Sequence, residues 1–249
     1  MKKSKGKWIR IGLIAAAIIG LFIFLFSRGG SGARAKYTDG INRVKLGDTE
    51  YELVNDILKE EYIGSDVRAG ISTERGEVAG TIKSFFILTM ATLYRVKGDA
   101  EGRYLVDSSG RIYAKAGEAA ALKAGFEDGS AFTSWRIDDA TKTLEGMKEL
   151  PKEQVEAVLS LIGSDAARKS IDETLYVSDF NNRREVFAFT ADGLFRKPVA
   201  ELFYYGSGDV KEVFLTTAYK ADKKSTTPPH LEGIRLPEEW QAAFSGYWK

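Results

Sequence analysis

Nineteen consecutive residues from Trp8 to Phe26, WIRIGLIAAAIIGLFIFLF, form an apolar run broken by one charge. As a helix rising about 1.5 Å per residue they cover roughly 28 Å, close to the hydrocarbon thickness of a bilayer. The pattern predicts one transmembrane helix over 8–26, with Arg10 placed to snorkel to the headgroups beside an interfacial Trp8. Lys2, Lys3, Lys5, Lys7 and Arg10 stand before or at the start of the run, against Arg28, Arg34 and Lys36 after it. That bias puts the N-terminus in the cytoplasm and the C-terminal domain outside it, the arrangement of a signal-anchored, single-pass protein of the cell membrane. The rival reading is a cleaved secretory signal with Ala33-Arg34-Ala35 as its small-x-small site, which also leaves the large domain extracytoplasmic. Gly12, Ala16 and Gly20 recur every four residues, a stripe that permits close helix contact and a homo-oligomer through the span.

Beyond the span the periodicity shortens and alternates. Residues 27–36, SRGGSGARAK, have no periodic apolar pattern and read as a flexible linker after a basic tail at 1–7. A domain is expected over 37–249, as one unit or as two lobes, 37–137 and 138–249. Thr49-x-x-Glu52 matches a capping box, and Tyr51, Val54, Leu58 and Tyr62 share one helical face, so a helix is expected there. Thr81 to Val96 is apolar on both alternating faces and reads as a central strand. Arg103 to Asp107 and Arg111 to Ala114 flank Ser108-Ser109-Gly110 as a hairpin. An Ala-rich helix at Glu118 to Ala124 and a strand at Phe132 to Ile137 follow. Pro151 and Glu153 then open a helix bearing Val155, Val158, Leu159 and Ile162, and Ser164 is placed to cap another through Lys169.

The last third carries strand patterns at Glu173 to Ser178, Glu185 to Thr190, Leu194 to Tyr205 and Val210 to Lys220, with turn residues between them. Strands in runs separated by runs of helices predict the α+β class: an N-terminal transmembrane helix, then antiparallel sheet and several helices.

Charge divides the chain. The first 36 residues hold eight Lys or Arg and no acid, which leaves 28 basic against 35 acidic side chains in the remainder, a balance of −7 beneath an overall +1. An acidic domain is a poor nucleic-acid binder, so no nucleic-acid partner is expected. The absence of Cys removes disulfides, thiol catalysis and Cys-ligated zinc, and with the short basic tail points to a bacterial source.

The search for chemistry yields exclusions. His230 is the sole His, beside Pro228-Pro229 in a loop pattern, and reads as solvated rather than catalytic. No phosphate-binding or dinucleotide-binding loop is present, and Asp179-x-Asn181 lacks the Gly and Glu of a calcium loop, so no cofactor or metal is expected. The adjacent acids Glu60-Glu61, Asp138-Asp139 and Glu238-Glu239 read as solvated helix ends. Two carboxylates brought across a cleft by the fold would support glycoside hydrolysis, a pairing that sequence does not place. No catalytic residue is therefore assigned.

The more specific feature is C-terminal. Trp240, Phe244, Tyr247 and Trp248 fall on one helical face after Pro237. Such a face docks onto its own core or contacts a partner protein or the bilayer.

The stretch Tyr104 to Ala114, YLVDSSGRIYA, resembles the strand-turn-strand of bacterial division proteins of the DivIB type, without the Glu-Arg-x-Pro element such proteins carry upstream. The order of tail, span, linker and mixed domain is similar to that of inner-membrane assembly subunits of conjugative secretion systems. Both likenesses imply a membrane-anchored envelope protein that binds protein partners in an assembly or scaffold role. An anchored hydrolase using carboxylates and a small-ligand sensor or carrier are the alternatives. Two convergent acids at the floor of a deep cleft favour the hydrolase, an enclosed apolar pocket the carrier, and a pocketless domain with an exposed apolar strip the scaffold.

Overall fold

The computed structural model describes residues 33–57, 62–63, 67–68, 70–83, 89–138, 144–162, 164–171, 180–207, 210–216 and 231–248. The first half supplies β1 (Ala33–Asp39), β2 (Arg43–Leu46), β3 (Thr49–Asn55), β4 (Tyr62–Ile63), β5 (Val67–Arg68), β6 (Arg75–Lys83), β7 (Thr89–Val96), β8 (Tyr104–Asp107) and β9 (Ile112–Lys115). Seven of these close a barrel in the order β1-β2-β3-β9-β8-β7-β6, while β4 and β5 pair with each other. Every barrel pairing is antiparallel except the closing one, where Ala33, Arg34 and Ala35 run parallel to Gly80, Thr81 and Ile82.

Each barrel strand sends an apolar side chain inward: Ala35, Val44, Tyr51, Ile82, Leu93, Leu105 and Tyr113 form one buried cluster. Filling the interior with side chains is how a small barrel avoids a void. The alternate residues Tyr104, Val106, Ile112 and Ala114 point outward and are covered by α1 (Ala116–Glu127), through Ala119 and Phe126.

The second half supplies β10 (Phe132–Ile137), β11 (Lys148–Glu149), α2 (Lys152–Leu161), β12 (Arg168–Ile171), β13 (Arg183–Thr190), β14 (Arg196–Ser207), β15 (Val210–Thr216), β16 (Leu231–Arg235) and α3 (Glu238–Ser245). Its strands form an antiparallel sheet in the order β11-β10-β13-β14-β15-β16-β12. One face, with Ile137, Val186, Ala200, Leu202, Val213, Leu215 and Ile234, is covered by Val155 and Val158 of α2 and Phe244 of α3.

Barrel and sheet are joined rather than strung together. Ser72 and Arg196 exchange backbone hydrogen bonds of 2.8 and 2.9 Å. Phe195 enters the cluster outside the barrel, edge-on to Tyr104 at 5.0 Å and to Phe126 at 5.3 Å. Phe126 in turn stacks on Phe132 of β10 at 5.8 Å.

The expected α+β class is corrected: the described residues are mostly strand, with a closed barrel and three short helices. The capping-box helix at Thr49 is a strand. Ordinary strand alternation turns Tyr51 and Leu53 into the barrel and Val54 out of it, so residues three apart are buried on opposite faces, and a register shift follows between Leu53 and Asn55. Glu52 meets Arg43 across the β2–β3 pair at 2.9 Å instead of capping a helix. Thr81 to Val96 is divided between β6 and β7, which pair antiparallel. The second helix expected from Ser164 to Lys169 gives way to β12, because Ser164 Oγ donates to Leu161 O at 2.9 Å and terminates α2.

The transmembrane, single-pass and signal-anchor readings are corrected on the same evidence. Among the described residues the longest helix, α1, has 12 residues, about 18 Å, and no helix is long and apolar enough to cross a membrane. Apolar residues here alternate into barrel and sheet faces and do not accumulate along one helix. Placement in the cell membrane, the cytoplasmic N-terminus with an extracytoplasmic domain, and a homo-oligomer through Gly12, Ala16 and Gly20 are therefore not carried forward. Residues 8–26 lie outside the described residues, as do Glu173 to Ser178, His230 and the Glu60-Glu61 pair. β1 begins at Ala33, inside the segment read as linker.

Candidate functional site

An open cleft of about 550 Å³ lies on the barrel flank. Ile57, Ser72, Thr73, Glu74, Arg75, Lys97, Val106, Ser109 and Gly110 line it. Six of the nine carry polar or charged side chains, interleaved with Ile57, Val106 and Gly110, and the cleft is open where sites that enclose small molecules are closed.

One wall is the turn between β8 and β9, and Asp107 builds it. Asp107 is 1% exposed, and its Oδ1 accepts from Ser109 N at 2.8 Å, Ser109 Oγ at 2.6 Å and Arg111 N at 3.0 Å. Arg111 bridges Asp107 and Asp56, at 3.5 and 3.3 Å. Gly110, at φ +95°, completes the reversal in a conformation that other residues rarely adopt. Burial by itself favours the neutral guanidine, but the charges of Asp56 and Asp107 outweigh it and hold the Arg111 guanidinium above its usual value.

The facing wall is the polar segment 72–75. Thr73 Oγ1 donates to Leu194 O at 2.6 Å, and Glu74 accepts from Lys97 Nζ at 2.9 Å. That hydrogen bond raises the Lys97 ammonium above its usual value. Arg75 Nη2 donates to Ser108 O at 2.9 Å, with its guanidinium over the Tyr94 ring at 5.2 Å.

Thr73, Glu74 and Lys97 also border a second, smaller chamber of about 40 Å³ between barrel and sheet, completed by Leu144, Phe189, Gly193, Leu194 and Arg196. Arg196 is unusual there. Its guanidinium lies over Phe187 at 5.6 Å, its Nε is shut from solvent without a hydrogen-bond partner, and burial lowers its pKa from the usual arginine value. Arg75, Lys97 and Arg196 thus face one acid, Glu74, across the two spaces.

The four aromatic residues singled out in the sequence come together elsewhere, on the helix-covered face of the sheet. Phe244 is fully buried, and Trp240, Tyr247 and Trp248 pack half-buried against the same cluster. Trp248 stacks on Tyr204 at 5.3 Å under Arg184 at 5.2 Å, and Tyr247 Oη donates to Gln154 Oε1 at 3.1 Å.

Carboxylates do not converge on the cleft. Asp138 accepts from Glu185 N at 2.6 Å within the sheet, and Glu238 pairs with Arg235 at 2.6 Å at the start of α3. Among the described residues no group of three or more His, Cys, Asp or Glu is placed to hold a metal.

Of the cleft residues, Val106, Ser109 and Gly110 stood out in the sequence only as parts of a hairpin. Ser72 to Arg75 carries no motif, and nothing in it signals that Lys97 and Arg196 will stand beside it. No protein-family profile matches the chain, and neither a curated protein nor a solved structure matches it.

Proposed function

We propose that this chain is a binding module that docks a segment of a partner protein in the barrel-flank cleft, in an assembly or scaffold role. The observation that carries the reading is the lining of that cleft: an open groove of mixed character, six of its nine residues polar or charged, in which the acids are tied to neighbouring cations. Glu74 is held by Lys97, and Asp107 and Asp56 by Arg111, which leaves no opposed pair of carboxylates for hydrolysis. Open polar grooves suit extended chain segments, whose backbone and side chains offer many hydrogen-bond partners. The cation excess of Arg75, Lys97 and Arg196 over Glu74 favours an acidic segment. The volume of about 550 Å³ also falls in the range of small-ligand sites, and favours carriage of a small polar molecule as the second reading.

A photo-crosslinking side chain at Ile57 of the full chain, expressed in its native cells, tests the proposal. The expected result is a discrete protein adduct from Ile57 and none from the same probe at Glu239, exposed on α3. Absence of a protein adduct at Ile57 overturns docking in this cleft, and a small mass increment there assigns the site to small-ligand carriage.

A further inference from the structure

Two guanidiniums on the second face of the sheet lack an acceptor. Arg136 on β10 lies over Phe189 at 4.8 Å, and Arg196 on β14 lies over Phe187 at 5.6 Å. The register pairs Arg136 with Phe187 and Arg196 with Phe189, so each cation leans diagonally across β13 onto the other's partner ring. The Nε atoms of both are closed to solvent and bond to nothing, and neither guanidinium has an ion pair among the described residues. A ring face compensates part of the lost hydration of a cation but supplies no acceptor for its N–H groups. Arg196 also borders the chamber of about 40 Å³, where Lys97 is the second cation and Glu74 is held by Lys97.

Native proteins rarely leave buried donors unsatisfied, and those that remain are places for an ordered water, an ion or a ligand group. The chamber has room for about one small polar group, given that a water takes about 30 Å³ of the liquid. A guanidinium offers two parallel N–H donors that match the edge of a carboxylate, while a phosphate group is bulkier and needs donors on several sides.

We propose that the chamber between barrel and sheet binds a single carboxylate, gripped by Arg196 with Lys97 beside it. Resting on the docking reading above, the source is an acidic side chain of the partner segment, and a free small carboxylic acid is the alternative source of the same group. Phe187 and Phe189 lie beneath the two guanidiniums and limit their freedom before the anion arrives. Such preorganisation reduces the ordering cost of binding.

Equilibrium titration of the full chain with sodium acetate, against acetamide at matched ionic strength, reads the anion alone. A pentapeptide with one Glu between glycines, against its Gln twin, reads the side-chain source. Acetate is expected to bind and acetamide not to, and the Glu peptide to bind at least about tenfold more tightly than the Gln peptide, the scale of a hydrogen bond to a charged group. Arg196→Met is expected to weaken both about tenfold or more while melting close to the parent chain, because it removes a partly buried charge that Glu74 and Glu185 support only at a distance. Lys97→Gln, at an exposed position, is the second variant and weakens both less.

Equal binding of acetate and acetamide overturns the carboxylate site, as does full acetate binding by Arg196→Met. If the Ile57 adduct forms and acetate does not bind, the docking reading stands and this inference falls. If acetate binds through Arg196 and the Glu and Gln peptides bind alike, the carboxylate site stands and its source is a free acid.

Discussion

Single residues decide how closely two backbones approach at the barrel seam. A Cβ on Gly80 would lie 2.6 Å from the Ala33 carbonyl oxygen and 2.6 Å from Leu46 Cδ1. Leu46 can rotate away, but the Ala33 carbonyl belongs to the parallel β1–β6 pairing that closes the ring. Gly80→Ala is therefore expected to destabilise the fold by about 1–3 kcal/mol, the cost of overpacking a closed interior. Urea unfolding of the variant checks this, and an unchanged midpoint would mean that the seam has slack. Polar residues act as locally as glycines. Tyr51 Oη donates to Gly102 O at 3.0 Å, and Asp99 Oδ2 accepts from Tyr104 N at 2.8 Å, so the turn between β7 and β8 is tied to the barrel by two buried bonds.

Elements show a second level of control, in which pairing overrides local pattern. β3 carries helix-like spacing and still forms a strand, since both of its alternating faces meet a core and neighbours on each side complete its ladder. α3 illustrates the converse. Its Pro237 entry and aromatic face are local signals, and the sheet supplies what holds it in place. Gln241 Oε1 accepts from Val213 N at 2.8 Å, while its Nε2 donates to Val213 O at 3.1 Å and Leu236 O at 2.8 Å, extending the ladder where β16 ends. Replacing Trp240 and Phe244 together by Ala is expected to cost several kcal/mol, on the order of 3–5 for the fully buried Phe244. At a few degrees per kcal/mol for a chain of this size, melting should fall by roughly 10 °C. Unchanged melting with weaker association to a partner would return Trp240, Phe244, Tyr247 and Trp248 to the role of an interface.

The whole molecule adds a dependence on alkaline pH that no single strand contains. Burial raises the phenol pKa of Tyr37, Tyr51, Tyr104, Tyr113 and Tyr247, and Tyr113 lies with its hydroxyl closed inside the barrel. In the unfolded chain these groups ionise near pH 10, and in the fold above it. The unfolded state thus releases protons first, so their contribution to stability is complete below about pH 10 and is lost as pH rises through the folded values. Urea midpoints measured from pH 8 to 12 should hold steady and then fall, less steeply in Tyr113→Phe. A flat profile to pH 12 would show that these hydroxyls are hydrated in solution.

Much of the element content was legible along the chain. Phe132 to Ile137, the hairpin around Ser108-Ser109-Gly110, the helix after Pro151 and the aromatic helix after Pro237 all follow from neighbours within a few residues, because side-chain period, turn chemistry and capping are local properties. The absence of Cys was equally plain. The barrel and the candidate site were not legible, since both rest on contacts distant in sequence. Ala33 closes the ring against Gly80, Thr73 bonds to Leu194 across 121 residues, and Arg196 acquires its neighbours from β13, the segment 72–75 and the turn at Lys97. Period 2 and period 3.6 say which face a residue shares with its neighbours. They are silent on which distant strand lies against that face, and here that choice made a barrel of strands that look helical or central in isolation and left an arginine bordering a chamber whose acid, Glu74, is held by Lys97.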